Sequence, residues 1–330
     1  MRLGFIDITK AIAIISMVSL HVELGAGTIV SPSTLQSYAS NQQYIFLVWF
    51  MPVFFVITGY CSNYSKPFRP FLFDLILTIG FPIFFFDVLY INVTNFLTMP
   101  VSEAVNQIPM TLLRFFRYSF WFLRALFVAK LLFWIMIRFV RIKFLMVGVL
   151  MILYLVASIA VLFGHGQHGC HSLIAVSFIA TGYYVRNNNL MEKKNFCLVS
   201  IILYLFIIVI LYLLNYDLPI MVNTIQIKNY LDIPLLYILS VSGSIGLMAI
   251  CKKISHNTIL EYIGKYSLVI YCFHFIVHSL PFSTVLSHDS SLQFCLGYIA
   301  IHTAITIGLC CLLAYLVDRK YLRVVIGKRP

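Results

Sequence analysis

Apolar residues fall in blocks of about twenty along this chain, the length a helix needs to cross a bilayer core of about 30 Å. Ten such blocks predict ten transmembrane helices, at 4–22, 44–62, 71–91, 120–137, 144–163, 171–186, 197–214, 231–250, 261–280 and 294–316. The polar connections between them are short, so the pattern predicts an all-α, polytopic integral membrane protein forming a single domain over residues 1–330. The polar loop 23–43 carries no Lys or Arg, and 92–119 is the longest connection, with an interfacial helix expected around Ser102 to Arg117. Asn92-Val93-Thr94 in that connection fits a glycosylation sequon.

Polar groups inside the blocks stand out, because an ionisable side chain in a span costs roughly 2.5–3.5 kcal/mol on insertion scales. The first span holds Asp7, Lys10 and His21. Lys10 and His21 are eleven residues apart, close to three helical turns, so they share one face about 16 Å apart along the axis. Asp7 lies one turn from Lys10 on nearly the same stripe, which predicts a face turned toward protein or a water-filled cavity. Taken alone, Asp7 and Lys10 read equally well as a neutralised i,i+3 pair with the lysine snorkelling to the headgroups. His21 alone reads equally well as an interhelical hydrogen bond. Together they suit chemistry: a neutral imidazole takes a proton from a hydroxyl, and a cation holds an anionic donor or a developing oxyanion.

Further groups recur downstream. Pro52 and Gly59 in the second span bend a helix or let backbones approach, and Arg124 in the fourth lies too deep to be a simple anchor. His274 and His278 at i,i+4, and the stretch His165 to His171, have spacings that suit a metal but no clear third or carboxylate ligand nearby. Polar packing is the reading adopted for both, and no metal is expected. Of eight cysteines, seven lie in or beside apolar blocks and Cys170 in an expected loop, with no paired spacing of a disulfide framework or zinc site.

Composition agrees. The chain is 61% hydrophobic and 10% charged, against about 25% charged in soluble folds, and its mean hydropathy is +0.96. The net charge of +12 therefore speaks to topology before it speaks to nucleic acid, which is not an expected partner. With the N-terminus cytoplasmic, seventeen Lys and Arg fall on the inner side and three (Arg114, Arg117, Lys228) on the outer side, which predicts both termini in the cytoplasm. No internal repeat of the kind common in carriers is visible, and no cleavable signal peptide is expected after Arg2.

An ordered series of features runs through the chain: Asp7, Lys10 and His21; Met51-Pro52-Val53-Phe54-Phe55 and Gly59-Tyr60; Trp121-Phe122-Leu123 and Leu126-Phe127; Gly182-Tyr183; and Gly264-Lys265-Tyr266-Ser267 with Tyr271 and His274. In this order the chain resembles the acyltransferase-3 family of polytopic membrane acyltransferases that decorate envelope and exported glycans. The family usually has an arginine eleven residues before the histidine; Lys10 keeps the charge there without the bidentate fork. The resemblance implies acyl transfer, most simply O-acetylation, from a coenzyme A thioester to a hydroxyl of a glycan or lipid-linked sugar, in a plasma membrane of bacterial inner-membrane type. On that basis His21 is the expected general base, or else a covalent acyl carrier, with Lys10 holding negative charge and Asp7 orienting it. Lys66, Arg69 and Arg124 are the expected contacts to the acetyl-CoA cofactor, and Trp121, Tyr271 and His274 the expected lining of the substrate cavity. Membrane lipids are further partners and homo-oligomerisation stays open. A proton-coupled transporter or flippase of lipid-linked glycans, with Asp7, Lys10 and His21 as a proton relay, is the alternative.

Overall fold

The computed structural model describes residues 3–27, 29, 48–114, 120–140, 142–165, 167–216, 218, 225–254, 256–278, 285–288, 290–318 and 323–327. Among them every regular element is helical: α1 Gly4–Ala26, α2 Pro52–Cys61, α3 Phe68–Leu75, a π-helical turn Ile76–Gly80, α4 Phe81–Thr98, α5 Val101–Arg114, α6 Trp121–Phe139, α7 Lys143–Leu162, α8 Gln167–Asn187, α9 Lys194–Leu213, α10 Asp232–Lys253, α11 Thr258–Lys265, α12 Ser267–His278 and α13 Leu292–Val317, with short 3₁₀ turns at Leu190–Glu192 and Arg323–Ile326. Residues 30–47, most of the expected polar loop and the start of the second expected span, lie outside the described residues.

Six helical runs are long and apolar enough to cross a bilayer: α1, α3 to α4 taken through the π turn, α7, α9, α10 and α13. The pair α11 and α12, bent by 75°, would add a seventh. The blocks expected at 44–62, 120–137 and 171–186 also contain helices, but these miss the same measure for physical reasons. Helix α2 is only 10 residues long. Helix α6 carries Arg124, Lys130 and Arg138, and α8 opens on Gln167, His168, His171 and Ser172.

Helix α1 sits in the middle, packed against α2, α10, α11, α12 and α13. Its apolar window and that of α10 are each 61% buried, whereas α7 and α9 are 17% and 22% buried and present mostly exposed Leu, Ile, Val and Phe. An apolar helix that leaves its side chains uncovered in the monomer is a lipid-facing one. The central helix is therefore the one with the ionisable stripe, and the most apolar helices lie outside.

Glycines set the closest approaches. A Cβ on Gly59 of α2 would stand 1.9 Å from the Ile179 carbonyl oxygen of α8, and one on Gly182 of α8 would stand 1.9 Å from that of Val56. The two glycines thus seat α2 and α8 backbone to backbone, the small-residue packing that membranes favour. Likewise a Cβ on Gly264 of α11 would stand 1.8 Å from the Asp7 carbonyl oxygen of α1. Pro52 does not bend a span; it opens α2 at the first helical position, where its missing N–H costs nothing.

Two local expectations are corrected. Helix α4 continues to Thr98, so Asn92-Val93-Thr94 is helical and not in a loop, and the Asn92 amide donates to the Val88 carbonyl at 2.7 Å. Cys170 lies in α8 rather than in a loop, because the helix begins at Gln167. The helix expected around Ser102 to Arg117 is present as α5, Val101–Arg114.

Candidate active site

Two clusters of polar side chains lie toward opposite ends of α1. The first surrounds Asp7 and Lys10. The Lys10 ammonium stands 3.6 Å from the Asp7 carboxylate, and Asp7 is buried while the lysine is partly exposed. The Cys61 thiol at the end of α2 lies within electrostatic reach of Lys10, Asp7, Lys130 and Arg186. Beyond it a 190 Å³ pocket is lined by Ser62, Asn63, Lys66, Phe71, Asp74, Leu75, Thr78 and Lys130.

The loop that builds this mouth is fastened through its carbonyls. Arg138 of α6 donates to the Ser65 and Lys66 carbonyls at 2.8 and 3.0 Å, the Trp134 indole N–H donates to the Lys66 carbonyl at 2.9 Å, and Arg186 of α8 donates to the Tyr60 carbonyl at 2.8 Å. Arg138 also lies over the Trp134 ring, 5.0 Å from its centroid. Tyr64 is buried among Phe71, Phe133 and Tyr183, and burial pushes its phenol pKa up. With its backbone held, the Lys66 side chain enters the pocket, where its ammonium contacts Asp74 at 2.6 Å. Thr78 joins the lining from the π turn, an irregularity that often marks functional sites.

The second cluster surrounds His21. Its ring lies 5.1 Å from the His274 ring and 5.1 Å from the Phe275 ring. Phe120, Phe122, Tyr271, Phe275 and Tyr90 continue as an aromatic wall with centroid spacings of 5.3–6.3 Å. Trp121 packs on His171 at 5.4 Å. Arg124 and Asp87, both buried, lie within electrostatic reach of Tyr271. Among these rings the ionisable side chains sit in a low-dielectric setting where each counts for more.

The sequence-predicted residues divide between the two clusters. Asp7, Lys10 and Lys66 belong to the basic mouth; His21, Trp121, Tyr271 and His274 belong to the aromatic cluster, called the chamber below after its proposed role. Arg124 was expected with Lys66 at the cofactor, but it lies six residues, about 9 Å of rise, from Lys130 on the same helix and associates with Tyr271. Arg69 is exposed and does not line the pocket. Asp87, Lys130 and Phe275 were not singled out. Lone charges in apolar runs were the available signal for Asp87 and Lys130; for Phe275 there was none.

Gly264-Lys265-Tyr266-Ser267 forms the joint between α11 and α12. Gly264 lets α11 lie on α1 at Asp7, while Lys265, at 3.6 Å, and the Tyr266 hydroxyl both hold Asp318 at the end of α13. Arg323 reaches the same carboxylate at 3.2 Å. This joint places α12 so that His274 meets His21.

A family model described as an acyltransferase domain, of the acyltransferase-3 type, matches residues 3–315, nearly the whole chain. The chain belongs to the acyltransferase-3 family. It is accordingly a membrane acyltransferase, and both clusters lie within the matched region. No curated relative and no solved structure matches this acyltransferase. Family membership favours group transfer over the transport reading of the α1 stripe.

Proposed function

We propose that this acyltransferase takes an acetyl group from a coenzyme A thioester at the basic mouth and delivers it, in the aromatic chamber, to a hydroxyl of an envelope or exported glycan. The observation that carries this is the course of α1, which joins a mouth of cations at Lys10 to an imidazole at His21, about 16 Å further along one helix face. A polyanionic nucleotide with a long pantetheine arm suits that layout: its phosphates meet Lys10, Lys66, Lys130 and Arg186, and its thioester reaches the chamber.

His21 accepts the proton of the acceptor hydroxyl as the oxygen attacks the thioester carbonyl carbon. The C–O bond forms, the C–S bond breaks, and the thiolate leaves to take up a proton. Lys10 is too distant from His21 to stabilise the oxyanion and serves the donor's charges instead. Arg124, beside Tyr271, is the cation placed for the developing oxyanion. On this reading, which the positive-inside bias of the sequence supports, both termini and the basic mouth face the cytoplasm, where the donor is made, and the membrane is a plasma membrane. The test is transfer from labelled acetyl-CoA at matched expression: His21→Ala should abolish it, and a parental rate in that variant would overturn the assignment.

A further inference from the structure

A groove of 820 Å³ runs between α1, α11 and α13. Ile15 and Ser19 form its α1 wall. Ile15 is five residues from Lys10 and Ser19 two from His21, about 140° and 200° around the helix at 3.6 residues per turn. The groove therefore lies on the face of α1 turned away from the Lys10 and His21 stripe. Its α1 and α13 walls belong to helices long and apolar enough to cross a bilayer, which puts it at the depth of the hydrocarbon. No charged side chain lines it, and the exposed Ile301, Ile305, Leu309 and Leu312 continue from its α13 edge onto the outer, lipid-facing surface. From Ala300 to Cys311, both in the lining, α13 rises about 16 Å, roughly half of a 30 Å bilayer core and so the reach of one chain in one leaflet.

The two ends differ in charge. Helix α11 forms the mouth-side end, since its Gly264 rests on Asp7, eight residues before Ile15. Thr258 lines the groove there, and the chain arrives at Thr258 from Lys252 and Lys253 at the end of α10. Lys252 pairs with Glu192 at 2.6 Å, whereas Lys253 is exposed and has no ion pair among the described residues. The carboxylate nearest in sequence, Glu261, contacts His256 at 2.8 Å. A cation beside one end of an uncharged groove suits a ligand with an anionic head and a hydrocarbon tail.

We propose that this groove holds an anionic phospholipid of the mouth-side leaflet, with one acyl chain along α13 from Cys311 toward Ala300 and the phosphate at the α11 end, met by Lys253. The lipid is a resident ligand and not a reactant, because α1 stands between the groove and His21. The same placement sets aside the tail of a lipid-linked acceptor, whose sugar has to reach the imidazole. The chain gives Ile15 to Ser19 of the central helix an apolar neighbour that the protein itself does not supply, and it does so whatever reaction His21 performs.

Two glycines of α13 give a matched test. A Cβ on Gly308, in the groove, or on Gly297, which does not line it, meets nothing within 4 Å, so leucine fits at either and favours the helix alike. The probe is phosphatidylglycerol with a photoreactive diazirine in its acyl chain, a minor component of phosphatidylcholine vesicles holding the purified protein. Mass spectrometry should find crosslinks at 258–263 and 300–311 stronger than on the exposed faces of α7 and α9, retained in Gly297→Leu and lost in Gly308→Leu. Unlabelled phosphatidylglycerol should compete about fivefold better than phosphatidylcholine, the preference one lysine at a membrane surface supports, and Lys253→Gln should abolish that preference while keeping the crosslinks. Phosphatidylglycerol should also raise the Tm of the parental protein and of Gly297→Leu, but not of Gly308→Leu. Labelling of the groove no stronger than that of α7 and α9 would mean general bilayer contact only and overturns the proposal. So does parental labelling in Gly308→Leu, or equal competition by the two lipids. None of these readouts uses acetyl transfer, so they stand or fall apart from the reading of His21.

Discussion

The basic mouth and the aromatic chamber are built by opposite means on one helix. The mouth is a loop and helix-end structure: Lys66, Asp74 and Lys10 are partly exposed, and backbone carbonyls of 60–66 are pinned by Arg138, Trp134 and Arg186. The chamber is a side-chain structure, with His274, Asp87 and Phe120 almost wholly buried and Phe122 of α6 meeting Tyr271 of α12 edge to face. A site for a charged, exchanging ligand needs access and several weak contacts. A site for proton transfer needs few groups held still and kept dry. Substitutions in the mouth should therefore act on donor KM, and those in the chamber on kcat.

The largest test of that division is His21→Ala, expected to lower kcat by about 10²- to 10⁴-fold with donor KM within a factor of about two, read from initial rates at varied acetyl-CoA. A large rise in donor KM with kcat kept would dissolve the distinction. Next is Gly264→Val, which meets the Asp7 carbonyl oxygen where even a Cβ would sit at 1.8 Å. Overpacking there should cost about 1–3 kcal/mol, visible as a lower Tm. Because α1 carries both clusters, this variant alone should degrade donor KM and kcat together. Gly182→Ala, which separates α2 from α8 beside the mouth, should lower Tm but raise mainly donor KM.

Much of this was legible in the sequence, for identifiable reasons. The Asp7, Lys10 and His21 stripe follows from helical spacing, and α1 is a helix throughout, so the spacing survives folding. Tyr271 and His274 share a turn of α12 and so lie in one aromatic cluster, their rings 6.1 Å apart. Arg124 was grouped with Lys66 because a cation in a span suggests an anion; that α6 carries it about 9 Å of rise from Lys130, nearer Tyr271, depends on how α6 packs against α8 and the π turn. Lys130 was not singled out, since its meeting with Lys66, 64 positions earlier, depends on tertiary packing. The span count met a similar limit. The blocks at 120–137 and 171–186 do hold helices α6 and α8, but the polar residues those helices carry keep them below the apolarity that α7 and α9 reach.

A smaller effect sharpens the description of the mouth itself. Lys130→Met should raise donor KM by about tenfold, the scale of one charge-assisted contact, with kcat retained. Lys66→Met should match it, since both side chains line the same pocket. A kcat defect in Lys130→Met with KM unchanged would assign α6 to the chamber along its whole length.

The smallest effect is expected at Arg69, and it separates a neighbour in sequence from a neighbour in space. Lys66 and Arg69 are three residues apart, which in a helix would place them on one face. They are not in one helix. Pro67 has φ −56° and ψ 158°, extended backbone, and α3 begins only at Phe68. Lys66 therefore turns into the pocket while Arg69 faces outward in the first turn of α3, exposed. An exposed guanidinium attracts a polyanion only at long range, and salt screens that attraction beyond about 8 Å at 0.15 M ionic strength. Arg69→Ala should change donor KM by less than about twofold, and raising the salt should erase the difference. The defect of Lys66→Met should persist at the same salt, because it is a contact within the pocket. Equal and equally salt-resistant defects at the two positions would mean that the donor lies across the outer face of α3 and not in the pocket behind it.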